Sequence, residues 1–327
     1  MPPLKGETIY EKRKYVMQNL DQIRKVLIQE PRGYPCQNAN LIVPPSSPGA
    51  PVGVIFMEQN KIYPLMSGHN LICVATALLE TDVIQMESPT TTFDVETPGG
   101  IVKVVATCTH SKAEKITITN VPSFVEALDV VVDVPQLGKV KVDIVFGGMW
   151  YAVVNAADVG LEINPKHAKK IARLGEMIKR ATREQHPVNH PLLDYPGVDI
   201  LVFRGPPSGK NEAHAANAVV MSNTDFDWKD PDTWSGMIDR SPCGTGTSAV
   251  MAAMWARGEI KLNQEFVHEG ILGTTFRGKL VEQTEVAGKA AVVPEISGSA
   301  WITQHCMVKI HTSDPLQEGY TLGDIWG

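Results

Sequence analysis

The sequence predicts an α+β fold built of two similar halves, and three observations predict it. Each half sets one apolar, helix-forming run among many short β-prone runs separated by Gly, Pro, Asn and Ser. Each apolar run opens in a glycine-bearing turn, Ser67-Gly68-His69-Asn70 in the first half and Cys243-Gly244-Thr245-Gly246-Thr247 in the second. Laid over each other at an offset of 176 (243 − 67), residues 67–82 and 243–258 match Gly68 with Gly244, Val74 with Val250 and Ala77 with Ala253. Three identities are few. The shared order of a nucleophilic side chain, a glycine, a polar cap and an apolar helix is the informative part.

Taking the elements in order, Ile9, Tyr15, Val16, Leu20, Ile23, Val26 and Leu27 recur at helical spacing and predict one helix over 7–30, stopped by Pro31-Arg32-Gly33. Strands are expected at 40–43, 52–58 and 61–65, with a Pro/Ser/Gly loop at 44–51. The run Leu71–Glu80 is the first apolar helix. Strands resume at 91–95, 100–107, 115–120 and 130–134, then at 139–146, broken by Gly147-Gly148, and at 149–155. In the second half Asn164–Glu184 is a Lys/Arg-rich helix with Ile171, Leu174 and Ile178 on one face. Strands at 199–204 and 218–222 and a polar, tryptophan-containing loop at 223–238 lead into the second turn. Ser248–Arg257 is the second apolar helix, stopped by Gly258, and the chain from there to about 311 reads as strands.

Composition narrows the function. Of 327 residues, 43% are hydrophobic and 20% charged, which suits roughly two ordinary domains with buried cores. Net charge is −6 (30 − 36), and no block of like charges stands out, so neither nucleic acid nor an anionic membrane surface is an expected partner. The longest apolar runs fall well short of the roughly 20 residues of a membrane span. The opening Met-Pro-Pro-Leu-Lys-Gly-Glu has no signal-peptide pattern. Five cysteines, at 36, 73, 108, 243 and 306, are odd in number, widely spaced and without a Cys-x-x-Cys pair. Neither a disulfide framework nor a zinc cluster is expected, and a reducing, cytoplasmic setting with free thiols is.

The Cys243 turn carries the chemistry. It opens a helix, so backbone N–H groups are unpaired and the helix dipole is positive there. Glycines at 244 and 246 let a ligand approach the backbone, which makes a site for a carboxylate or a phosphate. The same position lowers the pKa of a cysteine thiol. A thiolate beside a bound carboxylate is placed to remove that acid's α-proton. A plain capped turn with a buried thiol, or a Gly-rich phosphate loop, fits the spacing too, although neither G-x-G-x-x-G nor G-x-x-x-x-G-K-[ST] is present. Ser67-Gly68-His69-Asn70 has the same form and reads alternatively as an ordinary N-cap. Two such turns in matching positions would hold one carboxylate between two proton-transfer groups.

These residues carry a resemblance. Asp239-Arg240-Ser241-Pro242-Cys243-Gly244-Thr245-Gly246-Thr247-Ser248-Ala249 resembles the second active-site motif of the proline racemase family, and Met66-Ser67-Gly68-His69 its first motif, Met-Cys-Gly-His, with Ser for Cys. Glu30-Pro31-Arg32-Gly33, Asn120-Val121-Pro122-Ser123-Phe124, Val132 through Gly148 and Gly270-Ile271-Leu272-Gly273 are similar too, so the likeness covers nearly the whole chain. It implies a diaminopimelate-epimerase-like fold, two pseudo-symmetric domains that are each a β-barrel-like sheet around a central helix, with the active site between them. Residues 1–127 with about 305–327 would form the first domain, carrying Ser67, and 128–304 the second, carrying Cys243. There are three departures. The family's opening His-Thr-x-Gly-Glu-Pro strand has no counterpart, since residue 1 begins where that strand has already ended, and this puts a barrel edge strand in doubt. Tyr34-Pro35-Cys36-Gln37-Asn38 replaces a pocket-lining segment, and position 67 is Ser.

The resemblance assigns roles residue by residue. Cys243 is the thiol acid/base on one face of Cα, and Ser67 occupies the opposing position. Gly68, His69, Gly244 and Thr245 bind the carboxylate through backbone N–H groups. Asp239 accepts from the substrate's ring ammonium, or else only stabilises its own loop. His214 is a candidate for the ring hydroxyl or a surface histidine, and Cys36 a candidate near the pocket. Cys73, Cys108 and Cys306 read as small core residues. No H-E-x-x-H, dinucleotide fingerprint or Schiff-base lysine motif supplies an electron sink, so no cofactor is expected and the carboxylate itself must be stabilised as an enolate-like species. A serine hydroxyl is too weak an acid to serve as an unaided base. One thiol therefore points to dehydration of trans-3-hydroxy-L-proline with 2-epimerisation alongside. Because dehydratases in the family usually carry the reverse pair, Cys first and Thr second, 4-hydroxyproline 2-epimerase is the alternative, followed by proline racemase, with a non-enzymatic module binding a proline-like ligand as the other class. The expected partner is a small imino acid, and a homodimer is left open.

Overall fold

In the computed structural model, which describes residues 3–34 and 36–322, the chain is a mixed α+β protein whose contacts divide it into two compact units. Among the described residues the first comprises 3–34, 36–66, 70–118 and 299–322, and the second 67–69 and 119–298. No helix is long and apolar enough to cross a membrane among the described residues.

The first unit opens with α1 (Ile9–Asn19), started by a capping box in which Thr8 Oγ1 accepts from Glu11 N (3.2 Å) and Glu11 Oε2 from Thr8 N (3.3 Å). The single helix expected over 7–30 is in fact two. Leu20 leaves helical geometry (φ −133°, ψ 22°), and α2 (Gln22–Ile28) starts anew. The break serves packing: Leu20 joins Ile9, Val16, Val43, Ile55, Met57 and Tyr63 in one core cluster. Asp21 at the break accepts from Arg24 (2.7 and 2.9 Å) and from the Tyr63 hydroxyl (2.9 Å).

Strands β1 (Ala39–Val43) and β2 (Val52–Met57) pair antiparallel, β2 runs parallel to β3 (Thr90–Thr97), and β3 pairs antiparallel with β4 (Gly100–Thr109). β5 (Lys112–Thr119) follows. The strand expected at 61–65 does not form. Asn60 and Lys61 both take positive φ (51° and 58°), which turns the chain, and the Tyr63 carbonyl is taken by the Arg13 side chain instead of a ladder. Between β2 and β3 lies α3 (Gly68–Glu80). The chain beyond 298 also departs from the expectation of strands to about 311, since residues 299–311 form none. Trp301, Met307, Val308 and Ile310 are exposed, and Met307 is 84% accessible. A β-prone composition becomes a strand only where another strand offers its hydrogen bonds. The tail is tied at Tyr320, whose N–H and C=O exchange bonds with Glu30 (3.0 Å each).

The second unit is a closed barrel. β6 (Ser123–Val134), β7 (Gly138–Phe146), β8 (Trp150–Asn155), β9 (Ile200–Gly205), β10 (Ala215–Ser222), β12 (Phe266–Glu269), β13 (Thr275–Val286) and β14 (Lys289–Gly298) follow one another around a ring of eight, and β14 closes on β6 through Ala291–Phe124 and Val292–Ser123. The short β11 (Gly236–Ile238) pairs with β10 outside the ring. Between β8 and β9, α4 (Ala168–Gln185) packs one face on β9 and β10. It buries a Lys179–Glu176 ion pair (2.7 Å), and Ser222 Oγ donates to Glu176 (2.6 Å). Helix α5 (Gly244–Ala256) packs against β6, β7, β8, β13 and β14, and Gly244–Ala253 are buried on every side. The buried stretch Gly244–Ala253 contains only Gly, Ala, Ser, Thr, Val and Met, which keeps it thin enough for a barrel interior. Helices α3 and α5 begin and end at the same sequence offset of 176, since 68 + 176 = 244 and 80 + 176 = 256.

Candidate active site

The Asp239–Gly246 turn is built by its own polar groups. Asp239 N donates to Val219 O (2.8 Å), anchoring the turn to β10. The Asp239 carboxylate accepts from Ser241 N (2.8 Å) and Ser241 Oγ (3.1 Å), and Ser241 Oγ in turn accepts from Cys243 N (3.0 Å). Cys243 is thereby held at φ 58°, ψ 106°, a positive φ that costs a residue with a Cβ energy and that the surrounding bonds must enforce. It is the N-cap of α5, yet its thiol makes no capping bond. The first intrahelical bond runs from Thr247 N to Cys243 O (2.9 Å), so the N–H groups of Gly244, Thr245 and Gly246 precede the helical ladder and point out of its N-terminus. Cys243 as a whole residue is 3% accessible.

A second layer fixes this turn from below. The Pro242 carbonyl accepts from Asn217 Nδ2 (2.8 Å) and Thr247 Oγ1 (3.2 Å). Asn217 Nδ2 also donates to His268 Nδ1 (3.0 Å), which lies 2.9 Å from Thr247 Oγ1. His268 is fully buried on β12. Loss of solvent, helped by the Arg204 charge, pushes its pKa down to about 3, so the ring stays neutral and Nδ1 can accept. Gly270 packs its Cα against Pro242, where a Cβ would stand 3.0 Å from the Pro242 backbone. Asn120 Nδ2 bridges Gly147 O and Ser248 Oγ (2.9 Å each), locking the β7–β8 turn onto the first turn of α5.

Residues 67–69, the start of α3, meet this turn backbone to backbone. A Cβ on Gly68 would lie 2.8 Å from Gly244 Cα, 3.2 Å from Gly244 C and 3.3 Å from Thr245 N. One on Gly244 would lie 2.7 Å from Gly68 Cα, 3.1 Å from Gly68 C and 3.2 Å from His69 N. The two sets are reciprocal, atom for atom, so the glycines face each other across a local two-fold relation. Only glycine permits this approach. Ser67 is buried, and His69 Nδ1 stands 3.5 Å from Asp239 Oδ2. The structure therefore assembles Ser67, Gly68, His69, Asp239, Cys243, Gly244 and Thr245 at one place, with two helix N-termini converging on it.

Other candidates go elsewhere. His214 Nδ1 accepts from Val267 N (2.9 Å), and the residue lines a polar cavity with Arg204, Asp143 and Arg257. Its ring nitrogen is thus committed to barrel backbone. Cys108 is buried in β4, as expected. Cys73 and Cys306 are exposed, which corrects their reading as core residues: Cys73 falls on the outward side of α3, and Cys306 on the segment after β14 that forms no strand. Cys36 is partly buried beside the undescribed Pro35.

Three residues that the sequence reading passed over join the site. His268 lies in a run that reads only as strands, and Asn217 sits one residue before the strand expected at 218–222. Tyr151, fully buried on β8, places its hydroxyl 3.3 Å from Cys243 Sγ and 2.7 Å from Thr245 Oγ1. Because β8 is buried on both faces from Trp150 to Val154, no alternation showed which side chains face α5.

The chain is similar to proteins already known. The family profile described as proline racemase matches residues 1–321. A proline racemase of Clostridioides difficile is 38% identical over 323 residues, covering 98% of this chain and 92% of that protein. Among solved structures, a probable proline racemase from Agrobacterium radiobacter with bound carbonate has a TM-score of 0.91 at 35% identity, covering 100% of this chain and 92% of the other. A hydroxyproline epimerase from Agrobacterium vitis with bound trans-4-hydroxy-L-proline has the same TM-score at 34% identity, covering 100% and 90%. A PhzF-family protein of Bacillus anthracis, at 12% identity, TM-score 0.52 and coverage of 86% and 85%, shares the fold.

Proposed function

The chain belongs to the proline racemase family, and from that premise we propose that it removes the Cα proton of a hydroxyproline without a cofactor. The observation that carries the proposal is the reciprocal Gly68–Gly244 contact, with a thiol on the residue that precedes one glycine and a hydroxyl on the residue that precedes the other. N–H groups of Gly68, His69, Gly244 and Thr245 hold the substrate carboxylate. Their partial positive charge grows in value as the carboxylate takes on enolate character, which is where catalysis needs it. The Cys243 thiolate takes the Cα proton. Asp239, buried and already accepting from Ser241, presents its carboxylate to the ring ammonium.

Two outcomes follow from the planar intermediate. With a hydroxyl at C3, the electron pair left by the proton becomes the C2–C3 double bond, and the C3–O bond breaks. Water leaves with the proton that Cys243 took, and trans-3-hydroxy-L-proline is dehydrated. Without a leaving group at C3, a proton delivered from the Ser67 side inverts C2. A single thiol favours the first as the main reaction and the second as its companion. The second reading, 4-hydroxyproline 2-epimerase, is favoured by the epimerase relative with trans-4-hydroxy-L-proline bound, and proline racemisation follows it. Incubation in D2O with a panel of proline and hydroxyproline stereoisomers tests all of these. The proposal expects deuterium at Cα of a hydroxyproline and a pyrroline product from the 3-hydroxy isomer. Epimerisation of 4-hydroxyproline with no dehydration selects the second reading. Ligand-dependent thermal stabilisation with no exchange for any isomer overturns both and leaves a binding module.

A further inference from the structure

The Tyr151 hydroxyl lies between Cys243 and Thr245 in a hydrogen-bonded row, Thr245 Oγ1 to Tyr151 Oη at 2.7 Å and Tyr151 Oη to Cys243 Sγ at 3.3 Å. We infer that Tyr151 positions Cys243 and sets its proton affinity, acting as a reversible hydrogen-bond switch beneath the sulfur. The inference rests on Cys243 being the proton-accepting thiol. Three features of the molecule carry it.

The first is hydrogen counting. A thiolate can only accept, so when Cys243 is ionised the phenol proton must point at sulfur, and the Thr245 proton then points at the phenol oxygen. When Cys243 has taken a proton, S–H can donate to the phenol oxygen and the phenol to Thr245. Each hydroxyl turns its single proton and none leaves the row. Both protonation states of the thiol are therefore satisfied without water, at a residue that is itself buried.

The second is the cost of doing without it. A buried charge lacking a donor is expensive, and a charge-assisted bond contributes more than a neutral one. The helix N-terminus alone supplies partial charge, whereas a phenol donor supplies a directed bond along one line. The third is steric. Gly246 leaves the space in which sulfur and ring meet, since a Cβ there would stand 3.0 Å from Cys243 Sγ and 3.4 Å from Tyr151 Cε1. Tyr151 cannot drift from this position, because its strand neighbours Val145 and Ile200 hold it in register on both sides.

The test is the pH dependence of Cys243 alkylation by iodoacetamide, followed at the Cys243 peptide by mass spectrometry so that the exposed Cys73 and Cys306 do not contribute. Tyr151→Phe keeps the ring and removes only the donor. Its alkylation midpoint should rise by about 1–2 pH units, the value of one charge-assisted hydrogen bond. The acidic limb of kcat/KM should move the same way while KM changes little. Thr245→Val keeps the backbone N–H and should shift the midpoint in the same direction by less. If Tyr151→Phe does not fold, the Thr245→Val shift decides. A folded variant with the wild-type midpoint overturns the inference. Alkylation needs no substrate, so a shifted midpoint in a protein that turns over no hydroxyproline would sustain this inference and sink the proposed function alone.

Discussion

Replacing Gly244 by alanine should separate the two halves of the proposed carboxylate clamp. The new Cβ would stand 2.7 Å from Gly68 Cα and 3.1 Å from Gly68 C, both backbone atoms that cannot rotate away. Carbon atoms in contact settle at about 3.5–4.0 Å, so residues 68 and 244 must part by about 1 Å. Helix propensity works the other way, because Ala is better than Gly by about 1 kcal/mol inside a helix. Overpacking typically costs about 1–3 kcal/mol, so the net loss of stability is at most about 2 kcal/mol and the variant stays folded. Catalysis is less tolerant. A displacement of about 1 Å between groups that must act together costs on the order of 100-fold in rate, or about 2.7 kcal/mol of transition-state stabilisation. The assay is the rate of α-hydrogen exchange in D2O on the best hydroxyproline, alongside a thermal melt. Gly68→Ala should behave alike because the contact is reciprocal, and the double variant should lose less than the product of the two. A folded Gly244→Ala enzyme that exchanges within about threefold of wild type would refute the shared clamp.

Three further outcomes are expected. Ser67→Ala should stop inversion at C2 while leaving exchange through Cys243, and Ser67→Cys should raise inversion, because a thiol's pKa lies nearer the working pH; an unchanged ratio of epimer to dehydration product in the Ala variant would remove Ser67 from the chemistry. Asp239→Asn should raise KM by roughly 10-fold or more through the lost charged partner and also lower thermal stability, because the carboxylate accepts from Ser241 N and Oγ; a fall in stability with KM unmoved would leave Asp239 as a loop brace only. His268 is held neutral in the fold down to about 3, whereas in the unfolded chain it takes up a proton below about 6.5. The unfolded state thus binds more protons between those values, and stability must fall as pH drops through that window. Urea unfolding at pH 7, 5.5 and 4.5 should show the decline in wild type and a flatter one in His268→Asn. Parallel declines would place the acid sensitivity elsewhere.

What the sequence made legible was local. The two turns, their 176-residue offset and the small, apolar helices that follow them could be read directly, because capping chemistry and helical periodicity act over a few residues. The same locality explains the misreadings. Leu20 and Asp21 look helical in sequence, and the chain breaks there because Leu20 has a core to enter and Asp21 has Arg24 and Tyr63 to bind. Residues 61–65 and 299–311 have β composition, yet a strand exists only as one side of a ladder. Cys73 counted as core from its apolar neighbours, and only the orientation of α3 showed it exposed.

The site divides along the same line. By itself the sequence determined which atoms could do chemistry: a thiol and a hydroxyl, each before a glycine at the head of a helix, because that arrangement is written within five residues. Tertiary structure alone decided that Gly68 lies on Gly244, that His268 is neutral beneath Pro242, and that Tyr151 reaches Cys243 from 92 positions away. Those facts depend on barrel closure, on the register of β8 between β7 and β9, and on the loss of water around buried groups. Each is set by the summed packing of strands distant in the chain, and no window of the sequence contains it.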